Sequence, residues 1–204
     1  MALSDVKAVF FTADTNAADN ASVSANERPN TDFTIGGTDT SGGVATFSAG
    51  RIITCTTAGT GDNGKTVTIT GTDVNGDTQT EVITLPGSAT TTAGTKFFRT
   101  VTAASASAQP AANVSIGMSS AAGDVIFAGR SRLQGVFTVN SATAGVINFT
   151  NSSPAGTALM KLGTVASATV SRDVTVPDEG VVFSDGVYIQ YTVATFTNMT
   201  AFHA

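Results

Sequence analysis

Gly59-Thr60-Gly61-Asp62-Asn63-Gly64-Lys65-Thr66 satisfies the phosphate-loop pattern G-x-x-x-x-G-K-[ST] at every fixed position. That chemistry needs a buried strand before the loop and a helix after it. The helix N-terminus then aims free N–H groups at the phosphate oxygens. The residues after Lys65 do not suit that purpose. Six of the seven residues from Thr66 to Thr72 are Val, Ile or Thr, and such a β-branched run resists helix formation. The stretch therefore reads as a loop joining a strand over 51–57 to a strand over 65–73. Lys65 is expected to be a solvated strand-edge residue.

The other reactive side chains are scarce. His203 is the one histidine and the next-to-last residue, so it reads as a frayed or packed terminal residue. Cys55 is the one cysteine; no disulfide forms within the chain, and the residue reads as a small strand side chain. One His and one Cys do not make a zinc set. Asp73-Val-Asn-Gly-Asp77 places oxygen ligands around a turn but lacks the further ligands of a calcium loop. Asn-Gly at a hairpin tip explains the same residues without an ion. Asp178-Glu179 and Asp185-Gly186 are turn formers. There is no Trp, and Tyr188 and Tyr191 fall in one expected strand, which disfavours a sugar-cleaving cleft. No catalytic residue, metal ligand or cofactor is expected.

The elements that would position any site are strands. Only 12% of the 204 residues are charged, about half the usual share, while 41% are hydrophobic. A wet surface built from Thr, Ser, Asn and Gly suits strands and turns better than amphipathic helices. The net charge is −5 with no basic cluster, which argues against a nucleic-acid partner. No apolar run approaches the length of a membrane helix, and Asp5 before a short apolar stretch makes a poor secretory signal. Five N-x-[ST] sequons, at Asn20, Asn113, Asn148, Asn151 and Asn198, are expected by chance in a chain so rich in Asn, Ser and Thr.

Strands are predicted over 43–49, 51–57, 65–73, 77–85, 96–103, 113–118 and 124–128. A second series covers 133–140, 145–150, 157–162, 168–174, 180–183, 187–191 and 195–202. Short strands with Gly/Asn punctuation predict an all-β protein of two sandwich- or barrel-like modules. Within it, Asn75-Gly76 predicts a two-residue type I′ hairpin turn. The modules are expected over 32–120 and 123–204, joined by the small residues Met118–Gly123.

Residues 1–31 differ from both modules. The apolar Ala8–Phe11 is followed by the polar run NAADNASVSANERPN. This segment reads as an extended N-terminal arm that orders against a partner. Val9, Phe10 and Phe11 are its expected partner-contact residues; the same three side chains would equally serve an ordinary first strand of the chain's own sandwich.

The segment Gly64–Met118 resembles β-rich virion proteins of tailed bacteriophages. In these a "TITGTDxNG…TETIT" hairpin is followed by a "T.KYF.TVTS" strand and a "G.VSVG" strand. The C-terminal part is similar to another small phage structural module. The likeness lies in Arg132-Leu-Gln-Gly-Val-Phe137, Ala144-Gly-Val-Ile-Asn-Phe149, Val176-Pro-Asp-Glu-Gly-Val-Val-Phe183 and Ser184-Asp-Gly-Val-Tyr-Ile189. Together the two segments span well over half of the chain. The chain departs from the pattern at its end, Asn198-Met-Thr-Ala-Phe-His-Ala204, where the module closes on a Thr-Val-Phe-Tyr type strand.

The resemblance implies a non-enzymatic virion component, a capsid decoration or cement protein on the outer capsid surface. Its implied partners are the major capsid protein and copies of itself, with no nucleic acid and no membrane. A tail or head-tail connector component is the alternative, and a bacterial surface adhesion module is a second.

Overall fold

The computed structural model describes residues 5–177 and 179–204; Met1–Ser4 of the expected arm and Asp178 lie outside the described residues. All regular structure among the described residues is β. The all-β expectation holds, with antiparallel strands in a five-stranded and a ten-stranded sheet. The chain divides by internal contact into residues 17–120 and a second unit made of 1–16 with 121–204.

The unit of residues 17–120 holds β2 (Asp19–Glu27), β3 (Thr40–Ser41), β4 (Val44–Thr57), β5 (Thr66–Thr72), β6 (Thr78–Thr84), β7 (Thr91–Ala106) and the first half of β8 (Val114–Phe127). Their order is β8-β4-β7-β5-β6, with β2 on β8 and β3 on β4. The period-two run Thr66–Thr72 buries Val67 and Ile69 completely and leaves the threonines between them half-exposed. These join Ile53, Cys55, Ile83, Phe98, Val101 and Ile116 in one apolar core. Arg51 is buried as well, and its Nη2 donates to the Ser119 carbonyl at 2.5 Å.

β4 merges two of the strands predicted from sequence. The register against β7 slips between Thr46 and Arg51 and again between Ile52 and Thr54, so bulges replace the expected break. At the second bulge Glu81 of β6 caps exposed backbone. Its Oε1 accepts from the Thr95 N–H at 2.6 Å and the Thr95 hydroxyl at 2.9 Å, and the Lys96 N–H reaches both carboxylate oxygens at 3.3 Å.

The hairpin between β5 and β6 is real, but its turn differs from the expected type I′. Asn75 keeps a negative φ, and only Gly76, at φ 89°, is left-handed. The Gly76 N–H bonds the Asp73 carbonyl at 3.2 Å and the Asp73 N–H bonds the Asp77 carbonyl at 2.9 Å. That is a three-residue loop, Val74-Asn75-Gly76, closed by a glycine bulge. Asp73 stabilises it locally, its Oδ1 accepting from the Asn75 and Asp77 N–H groups.

The second unit holds β1 (Lys7–Thr12), the second half of β8, β9 (Ser131–Asn140), β10 (Gly145–Asn151), β11 (Ala158–Thr164), β12 (Ser171–Thr175), β13 (Val181–Phe183), β14 (Val187–Thr192) and β15 (Phe196–His203). One sheet runs β1-β15-β9-β12, with β13 also on β9; the other layer runs β11-β10-β14 onto β8. Tyr191 of β14 and Phe196 of β15 join the layers, their ring centroids 4.8 Å apart.

Two expectations about boundaries change. The segment 1–31 is not an extended arm over its described residues. β1 pairs with β15 in the second unit, and β2 pairs with β8 in the other. The small residues 118–123 are not a linker but the middle of β8. Their smallness serves close approach. A β-carbon on Gly123 would stand 2.5 Å from the Pro154 side chain, and one on Gly117 would stand 1.9 Å from the Asp19 carbonyl oxygen of β2.

Candidate functional site

The phosphate-loop look-alike is a loop, as its flanks require, with Thr66 starting β5 directly. Lys65 is not the solvated residue expected. Its Nζ lies 3.1 Å from Oδ1 of Asp62, a carboxylate wholly shielded from water. The same Oδ1 accepts from the Ala111 N–H at 2.5 Å, and Oδ2 accepts from the Ala112 N–H at 3.4 Å. Burial raises the Asp62 pKa, but the two amides and Lys65 together outweigh it and hold the carboxyl below its usual range. The loop's cation is thus held by the loop's own carboxylate, which ties residues 58–65 to 111–113.

His203 is packed, not frayed. Its Nδ1 lies 3.2 Å from Ser131 Oγ, and its ring lies 5.2 Å from that of Phe127. Ser131 Oγ also donates to the Ala204 carbonyl at 3.0 Å. With that proton committed, the hydroxyl accepts from Nδ1–H, the reverse of the polarity that activates a serine nucleophile. Burial first, and the positive charge of Lys7 second, push the His203 pKa below its ordinary value. The pair borders a cavity of about 140 Å3 also lined by Asp5, Lys7 and Arg130. Cys55 is equally inert: burial, then the nearby Glu81 charge, pushes its thiol up to about 12. Glu179 pairs with Arg132 at 2.9 Å on the surface. Asn151 and Asp185 clasp a turn, with the Asp185 N–H donating to Asn151 Oδ1 at 3.0 Å.

The expected contact residues Val9, Phe10 and Phe11 do not share one face, because a strand sends neighbours to opposite faces. Val9 and Phe11, half-buried, sit opposite Ala201 and Met199 on the inner face. Phe10 points outward and is 64% exposed. Register shows what surrounds it. Phe10 lies opposite Thr200, Thr200 opposite Phe137, and Phe137 opposite Asp173. In the row on one side Ala8, Phe202, Gly135 and Thr175 line up, and in the row on the other side Thr12, Asn198, Val139 and Ser171. Phe137 and Phe202 are each 37% exposed. Four strands thus present three phenylalanines on one face, and in these three rows Asp173 is the only charge.

This chain matches no known family model, no curated protein and no solved structure. The candidate site therefore stands on the geometry of this face. From sequence alone Phe137 and Phe202 fit strand core or an interface core equally, since their outward parity follows only from the pairing of β1, β15 and β9. The signal present in the sequence was the alternation Val136-Phe137-Thr138, which places Phe137 opposite in parity to the buried Val136.

Proposed function

We propose that this chain is a non-enzymatic structural component of a phage virion that adds to the outer surface of a capsid through the face of Phe10, Phe137 and Phe202. The observation carrying this reading is that low-charge aromatic face. The largest apolar patch on a protein surface is often a functional one, and aromatic residues lead the energetics of contact surfaces. The resemblance of Gly64–Met118 and of the C-terminal strands to phage virion proteins supplies the setting. A particle protein repeats on a symmetric lattice, where a rigid, weakly charged β face meets the same neighbour at every site.

The test is add-back. Capsids assembled without the chain are mixed with purified protein and separated on a gradient. Wild-type protein is expected to co-migrate to saturation, and Phe137→Ser with Phe202→Ser together are expected to bind at least about tenfold more weakly while remaining folded. Undiminished decoration by the folded double variant would remove this face from the contact. Failure of the wild type to bind capsids, with binding to tails instead, would move the chain to the tail.

A further inference from the structure

The four ends of the sheet paths are β1, β12, β11 and β6. Three carry features that discourage further pairing. β12 holds Arg172 and Asp173, and β11 holds Lys161. On β6 the Lys96 ammonium closes the Thr80 carbonyl at 2.8 Å. Charges on an edge, lysine above all, are the usual guard against strand addition. β1 has no such guard between Ala8 and Thr12, and its one charge, Lys7, stands at its first residue.

The hydrogen-bonding phase of β1 is set by one contact. The Ala13 N–H bonds the Thr197 carbonyl at 3.1 Å. Antiparallel ladders alternate, so odd-numbered residues of β1 bond to β15 and even-numbered residues turn their N–H and C=O groups to the open side. Ala8, Phe10 and Thr12 therefore present backbone groups that no other strand among the described residues pairs with, and Phe10 stands at their centre.

We infer that β1 pairs with β1 of a second copy of this chain, antiparallel about a two-fold axis at Phe10. In that register Phe10 faces Phe10 of the second copy and Ala8 faces Thr12, so all three outward residues pair reciprocally, with about six backbone hydrogen bonds. Charge permits it: Lys7 falls opposite Ala13, and no like charges meet. Area favours it. From strand spacing and rise, one copy's aromatic face measures roughly 350 Å2, well under the ~800 Å2 per partner of a standard interface. Pairing at β1 sets two such faces side by side on one continuous sheet and doubles the rings to six. The dimer thus deepens the capsid reading of the same face, but it is a property of the free chain.

The test uses the full-length chain in solution, without capsids. Sedimentation velocity is expected to show a dimer fraction that rises with concentration. Phe10→Glu places like charges across the axis and is expected to weaken association about tenfold or more. Phe10→Cys is expected to form a disulfide-linked dimer on mild oxidation, because Cα atoms in such a pair stand about 5.5 Å apart, within disulfide range. Cys55, fully buried, does not interfere. Ala8→Cys mixed with Thr12→Cys is expected to cross-link as well. A chain that stays monomeric at all concentrations, or a dimer in which neither cysteine arrangement cross-links, overturns the pairing. Either result leaves the capsid reading to the add-back assay.

Discussion

Asp62 occupies a variable position of the phosphate-loop pattern, yet it decides what the loop does. Its carboxylate, itself without exposed surface, gathers a partly exposed Lys65 and two backbone amides. Removing it strands all three donors, so Asp62→Ala is expected to cost about 1–3 kcal/mol. Lys65→Ala leaves the amides in place and is expected to cost about 1 kcal/mol at most. Urea denaturation of the two variants checks the order; equal, negligible losses would mean the cluster holds nothing. Since the folded Asp62 pKa lies below the unfolded one, its stabilisation is present above about pH 4. It fades as pH falls through the lowered folded value. His203 works in a different window. Its folded pKa is also depressed, but the charged form is the one disfavoured. Its contribution is full above the unfolded pKa near 6.5 and declines as the medium acidifies below that. Thermal melting between pH 7.5 and 5 is expected to show this decline in the wild type and a flatter profile in His203→Gln. Parallel profiles would show that the ring's protonation does not matter to the fold.

Gly117 marks the scale at which elements constrain each other. β2 passes so close to β8 that a β-carbon at 117 would overlap the Asp19 carbonyl. Gly117→Ala is expected to destabilise by about 3 kcal/mol and to free β2 first. Hydrogen exchange would show early loss of protection at residues 19–27; uniform loss over the whole chain would show that β2 does not lead. The same contact explains why β2 was not legible in the sequence. Asp19-Asn-Ala-Ser-Val-Ser-Ala-Asn-Glu27 has small polar side chains and weak strand propensity. It is a strand because a distant glycine admits it. By contrast β5, β6, β10 and β14 announce themselves through alternation and Asn/Gly punctuation, which are local. The merging of two expected strands into β4, and of two into β8, was hidden for a related reason. Bulges and close-approach glycines look like breaks until the partner strand is known. The candidate face obeys the same logic: Phe10 was legible as an apolar residue without a local partner, whereas Phe137 and Phe202 needed the register.

For the whole molecule, the proposed role asks that the chain be present in assembled particles in a number set by its lattice site. Under that reading the chain is phage-encoded, and quantitative mass spectrometry of purified particles measures its copy number relative to the major capsid protein. A ratio of the order of one, or a simple fraction of it fixed by capsid symmetry, is the predicted result. Absence of the chain from purified particles would contradict the virion role altogether.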